Sequence, residues 1–238
     1  MNRHQDSVTF GDTSCQKKGR LEMIAGRIVS LLIGYLCGLF LLGYLIGKTK
    51  HVDLHEVGSG NVGTTNTARS LGAKAGALTL VSDVCKVLVA MLITWLIFRN
   101  QYPEQIRVLE LYAATGAVLG HNFPVYMKFK GGKGIACTGG LVIGFCPLAI
   151  PVSLGLFLII TVVTRYVSLG SIIAVIALMI QVIIFGQTGH LNVPAENLIE
   201  VYCVTGFVVV LAIIRHHANI GRLIKGTENK FSLHKKEQ

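Results

Sequence analysis

The polar residues able to do chemistry fall in three short segments. The first reads Gly58-Ser59-Gly60-Asn61-Val62-Gly63-Thr64-Thr65-Asn66, with Arg69 just beyond. Glycines let backbone N–H groups approach a phosphate closely, and the Ser59, Asn61, Thr65 and Asn66 side chains add donors. The Arg69 guanidinium can fork onto two phosphate oxygens. The second segment runs Gly120-His121-Asn122-Phe123-Pro124-Val125-Tyr126-Met127-Lys128-Phe129-Lys130-Gly131-Gly132-Lys133-Gly134. A helix starting after such a Gly-Gly-Lys-Gly run presents free N–H groups and a positive dipole end to an anion. The third opens Arg215-His216-His217-Ala218-Asn219-Ile220-Gly221-Arg222-Leu223 and continues to Glu228. At three- and four-residue spacing, His216, Asn219 and Leu223 share one helical face, which aims an imidazole and an amide at a common point.

Each segment also has a plainer reading. Glycine and asparagine suit any tight turn between helices, and for the first segment the two readings weigh equally. Lysines beside an apolar run orient it in a membrane, but that task does not require Gly131 and Gly132, so phosphate binding is favoured in the second. A lone histidine at a membrane edge is more often interfacial than catalytic. No Lys-Ser or Lys-Thr follows the first glycines, which excludes a Walker loop. Asp83 and Lys86 lie three apart inside an apolar run. Charges are costly there, so they read as a paired structural support for the first segment.

Lipid-embedded helices must position these segments. Of 238 residues, 52% are hydrophobic and only 14% charged, against about a quarter charged in a soluble domain. A span needs roughly 20 apolar residues. The spacing predicts an all-α integral membrane protein with about seven transmembrane helices: Ile28 to Ile46, Ala75 to Phe98, Val108 to Val125, Ile135 to Ala149, Val152 to Thr164, Leu169 to Phe185 and Leu198 to Ile214. The third is weakened by Glu110 and His121. The fourth and fifth are short and form a hairpin around Pro147 and Pro151. Seven crossings put all three chemical segments, the Arg165 turn and the carboxyl terminus on one side, which most of the Lys and Arg residues make cytoplasmic. The amino-terminal basic residues oppose that sum. Six cysteines show no C-x-x-C pair and no metal-ligand spacing with histidine, so no zinc site is expected.

Together the three segments, with Lys225-Gly226-Thr227-Glu228-Asn229-Lys230 in the tail and Arg165-Tyr166-Val167-Ser168-Leu169-Gly170-Ser171 between the second and third, resemble the PlsY family. These are bacterial acyl-phosphate:glycerol-3-phosphate acyltransferases. The likeness runs in order from about Ile28 to Lys230 and implies a 28–230 acyltransferase domain, preceded by a polar 1–27 extension and followed by a basic 231–238 tail. Departures include Cys37-Gly38-Leu39-Phe40 where the family tends to Gly-Ser-Ile-Pro, Thr64 for Ala, Cys137 for Thr and Ala218 for Glu.

The resemblance implies a multi-pass enzyme of the bacterial cell membrane. Its substrates would be acyl phosphate and glycerol 3-phosphate among membrane lipids, with no nucleic acid, metal or organic cofactor. Ser59, His216 and Asn219 are the expected catalytic residues. Gly60, Asn61, Thr65, Asn66, Arg69, Lys128, Gly131, Gly132 and Lys133 are expected to hold phosphate, supported by Asp83, Lys86 and Glu228. A membrane anion or phosphate transporter is the rival. It would more often show broken helices repeated in two halves, whereas here the polar segments crowd one face.

Overall fold

The computed structural model describes residues 10–231, with side chains from residue 21. Ten α-helices follow one another among these residues, with no strand: α1 (Phe10–Gly38), α2 (Leu42–Thr49), α3 (Thr64–Leu71), α4 (Ala73–Phe98), α5 (Ile106–Asn122), α6 (Ile135–Phe145), α7 (Ile150–Thr164), α8 (Val167–Gln187), α9 (Leu198–Arg215) and α10 (His217–Ile224). Five segments are long and apolar enough to cross a bilayer: Leu21–Thr49, Ala73–Phe98, Pro147–Thr164, Val167–Gln187 and Ala195–Arg215. Their outer faces carry bare aliphatic side chains such as Leu36, Val81, Val163, Ile180 and Ile199. Lipid tails solvate such a surface as well as a protein core would.

The expected span whose apolar run is interrupted by Glu110 and His121, α5, is the most enclosed helix. Nearly all of it is buried, from Val108 to Asn122. It lies parallel to α1, with Gly34 and Gly38 against the backbone at Ala113 and Ala117, and Gly116 and Gly120 against Leu31 and Tyr35. Small residues at four-residue spacing on both helices let the backbones touch, which is how membrane helices gain packing without a hydrophobic driving force. A helix sheathed by other helices does not need to be apolar all round. Its charged residue Glu110 pairs with Arg107 at 2.7 Å, and His121 sits against Asp83 and Lys86.

Two breaks fall where the apolar pattern does not mark them. The first apolar run is interrupted at Leu39 to Leu41, between α1 and α2. α6 stops at Phe145, four residues short of the sequence expectation, because Pro147 cannot continue a helix and disfavours it one residue earlier. The Arg107 guanidinium caps that end by donating to the Gly144 carbonyl, where a cation complements the helix dipole. The short turn Pro147–Ala149 then leads into α7, so the expected hairpin is present. At the same end of the bundle, Glu200 of α9 accepts from Arg27 of α1 and from the Tyr112 hydroxyl of α5 at 2.9 Å.

Candidate active site

The loops at the opposite end converge. Residues 123–134 return onto α5: the Gly131 N–H donates to the Asn122 carbonyl at 3.1 Å and the Gly132 N–H to that of His121 at 3.0 Å. On the other side of these peptides, the Arg215 guanidinium at the end of α9 donates to the Gly131 and Gly132 carbonyls at 2.8 to 3.1 Å. It also stacks over the Phe123 ring. The Gly-Gly turn is thus gripped from both faces. A Cβ on Gly132 would stand 1.9 Å from His121 Nε2, so only glycine fits this closeness.

This grip delivers Lys133 to the tail. Its Nζ donates to Asn219 Oδ1, and the Asn219 amide in turn donates to Glu228 Oε1 at 2.7 Å. Glu228 also accepts from Ser168 Oγ at 3.0 Å and from Arg222 Nε at 2.7 Å. Beyond Glu228 the tail is pinned by the Phe231 N–H to the Arg165 carbonyl at 2.7 Å. Arg69, half-buried on α3, feels the charges of Glu228 and Arg222, and Lys133 feels that of Arg69. Arg69, Lys133 and Arg222 therefore gather around one carboxylate, with Arg215 close enough for Lys133 to feel its charge. That excess of positive charge is a place for phosphate.

Electrostatics sharpen the roles. Burial, helped by Arg222, Arg215 and Arg69, pushes Lys133 down to about 8 against the opposing pull of Glu228. An ammonium left short of anionic partners is poised to gain one. Burial resists ionisation of Glu228, but hydrogen bonds from Asn219, Arg222 and Ser168 hold its carboxyl below the usual range. His216 is buried, and its Nδ1 lies 2.7 Å from the Ala212 carbonyl. A carbonyl can only accept, so Nδ1 carries the proton and Nε2 is the free acceptor. Burial and then the nearby Lys133 push this histidine down to about 4. It is neutral at ordinary pH.

The first loop is built on Asn66. Its Oδ1 accepts from the Ser59 N–H at 2.8 Å, while its Nδ2 donates to the Leu54 and Val57 carbonyls. Its hydrogen-bonding capacity thus belongs to the loop's own frame rather than to a ligand. Gly58 and Gly60 take positive φ, and a Cβ on Gly58 would strike Asn66 Oδ1. Gly60 is exposed, Ser59 and Thr65 are half-buried, and Asn61 Oδ1 is buried with no partner among the described residues. Lys128 is exposed on the turn before Gly131 and forms no ion pair among the described residues.

α9 ends at Arg215 and a new helix starts at His217, so the helical face expected to join His216, Asn219 and Leu223 is broken at His216. His216 and Asn219 are nonetheless both buried and His217 is exposed. Arg215, Arg222, Ser168 and Asn122 escaped the sequence reading of the site. The first two read as ordinary basic anchors. Asn122 is fully buried beside Gly134, at the start of α6, with neither amide atom partnered among the described residues. Asp83, His121 and Cys137 bring ligand-type atoms within 4.8 Å of one another. The Lys86 ammonium already sits on Asp83 Oδ1 and His121 Nδ1, taking the place a metal cation would need.

Residues 28–226 match the family model described as glycerol-3-phosphate acyltransferase. This chain belongs to that family. Among its relatives, the glycerol-3-phosphate acyltransferase of Trichlorobacter lovleyi is 38% identical over 197 residues, covering 83% of this chain and 93% of that protein. That of Chlorobium phaeobacteroides is 38% identical over 230 residues, covering 87% and 98%. The fold is that of PlsY, an integral membrane glycerol 3-phosphate acyltransferase. Its crystal structure in the glycerol 3-phosphate form superposes with a TM-score of 0.72 at 35% identity, covering 87% of this chain and 96% of that one. The lysophosphatidic acid form gives 0.71 at 34%.

Proposed function

We propose that the protein transfers a fatty acyl group from acyl phosphate to the 1-hydroxyl of glycerol 3-phosphate, releasing phosphate and lysophosphatidic acid. The observation that carries this is the ring of Arg69, Lys133, Arg215 and Arg222 beside the neutral His216, at the end of an apolar bundle. Both substrates carry phosphate, the attacking atom is a hydroxyl, and the acyl tail needs lipid. The hydroxyl oxygen attacks the acyl carbonyl carbon, the carbon–oxygen bond to phosphate breaks, and phosphate leaves. The hydroxyl proton ends on that departing phosphate. An acyl phosphate is already activated, so positioning and charge stabilisation supply the rate.

In this reading Lys133 and Arg69 hold substrate phosphate, with the Ser59, Gly60, Asn61 and Thr65 loop and the Gly131–Gly132 turn around it. Asn66 frames the loop, and Asn219 and Glu228 orient Lys133. His216 Nε2 accepts the hydroxyl's hydrogen bond and orients it. A histidine held near pH 4 is a poor base at neutrality, which favours the substrate phosphate as the proton acceptor. Purified protein incubated with glycerol 3-phosphate and acyl phosphate, or with acyl coenzyme A, tests the reaction directly. Lysophosphatidic acid from acyl phosphate is expected. Product from neither donor would shift the reading to an anion transporter.

Arg69→Lys keeps the charge but loses the planar fork. It is expected to fold normally and lose most activity, measured as steady-state turnover in detergent or proteoliposomes. Near-normal turnover would reduce Arg69 to a topological anchor.

The converging loops and the carboxyl terminus face the cytoplasm in this proposal, on the strength of their basic residues. In a background without native cysteines, Gln101→Cys and Lys130→Cys are expected to label from opposite sides with a membrane-impermeant thiol reagent, Lys130→Cys from inside. Labelling of both from one side would mean that α5 does not cross.

A further inference from the structure

One charged cluster lies below the phosphate-binding ring and touches none of its members. Lys86 of α4 is buried, and its ammonium has three partners: the Phe40 carbonyl at 3.0 Å, Asp83 Oδ1 at 2.7 Å and His121 Nδ1 at 2.9 Å. An ammonium has three protons and no acceptor capacity, so this set uses it completely. His121 Nδ1 also lies 3.2 Å from Asp83 Oδ1, and its Nε2 is the atom against Gly132. Phe40 lies in the break between α1 and α2, where terminal helix carbonyls lack intrahelical partners. From that break α2 runs directly into the loop that carries Ser59, Asn61 and Thr65.

We infer that Lys86 is a positioning residue that sets the first loop and the Gly131–Lys133 turn in register with each other. One arm fixes the α1–α2 break and thereby the direction of α2. The other fixes the His121 ring, the floor on which Gly132 rests and above which Lys133 is presented. Asp83 orients the ammonium between them. A pair that served only stability would need neither the Phe40 carbonyl nor the histidine. A buried ion pair exchanged for neutral groups of similar volume is often neutral or stabilising.

That difference provides the test. Asp83→Asn/Lys86→Met removes both charges together, leaving no uncompensated ion, and His121→Asn keeps an acceptor near the Nδ1 position while removing the ring below Gly132. Backbone amide exchange followed by mass spectrometry reads loop order without reference to catalysis. The double variant is expected to exchange about tenfold faster in both 54–63 and 128–134, with α4 and α5 still protected. His121→Asn is expected to loosen 128–134 alone.

The kinetic arm rests on the acyl-transfer reading. Both variants should raise KM for glycerol 3-phosphate about tenfold or more, with a smaller effect on kcat, since phosphate-holding loops are misplaced. If the wild type lacks acyltransferase activity, the reaction is wrong but exchange still judges the inference. Unchanged exchange in both loops in a folded double variant would overturn it. If the double variant does not fold, unchanged exchange in His121→Asn overturns it instead.

Discussion

Lys133→Met is expected to lower kcat/KM by about 10²–10³-fold, the scale of losing one preorganised charge donor from an enclosed site. The side chain is delivered by a turn held from both faces and then directed by Asn219, so no neighbouring lysine can replace it. Lys128 and Lys130 lie exposed on the preceding turn. The pH profile gives an independent signature. Lys133 titrates near 8 and must be protonated to bind phosphate, so kcat/KM should fall as pH rises through about 8. Bound substrate anion favours the ammonium, so the corresponding limb in kcat should lie higher, because kcat reports the complex. Lys133→Arg, whose guanidinium stays charged throughout, should lose the alkaline limb while retaining part of the activity. An unshifted limb in Lys133→Arg would assign it to another group.

Much of this architecture is legible in the chain, and the illegible parts have physical causes. The long apolar runs and the Pro147–Pro151 hairpin mark their helices because lipid demands it. α5 was faint because it is shielded from lipid, which frees it to carry Glu110, Thr115 and His121. The Leu39–Leu41 break has no sequence mark at all. Where the family tends to proline this chain has Phe40, and the interruption is held from outside by Lys86. Only tertiary contact could reveal that.

The site divides in the same way. Residue type and spacing pointed to Arg69, Lys133, His216 and Asn219 as groups suited to phosphate and hydroxyl chemistry, and the family resemblance added Glu228; the fold gathers all five at one end of the bundle. Whether an asparagine amide turns outward or inward is decided by the fold, so Asn66 reads as a ligand in sequence and is a loop frame in space. Arg215 and Arg222 resembled membrane-edge anchors. Their hydrogen bonds to the Gly131–Gly132 carbonyls and to Glu228 make them parts of the site.

His216→Ala is expected to depress kcat about 10²-fold, near the lower bound for a lost proton-handling contact, whereas His217→Ala should stay near wild type. The two histidines are adjacent in sequence, yet His216 is buried against Ala212 and His217 is exposed. Burial and Lys133 hold His216 at about 4. Its neutral form therefore persists down to about pH 4, and it cannot supply an acid limb near neutrality. Any loss of rate as pH falls through about 6 is then the protonation of substrate phosphate, whose second ionisation lies there. That limb should survive unchanged in His216→Ala at the lower rate. His216→Gln, which restores an acceptor without a titrating group, should recover part of kcat. If His216→Ala instead abolishes the limb near neutrality, His216 is the base and its imidazole titrates far above 4 in the complex. Equal, mild effects of the two alanine substitutions would remove the tail from the chemistry and leave it to Arg69, Lys133 and the phosphate loops.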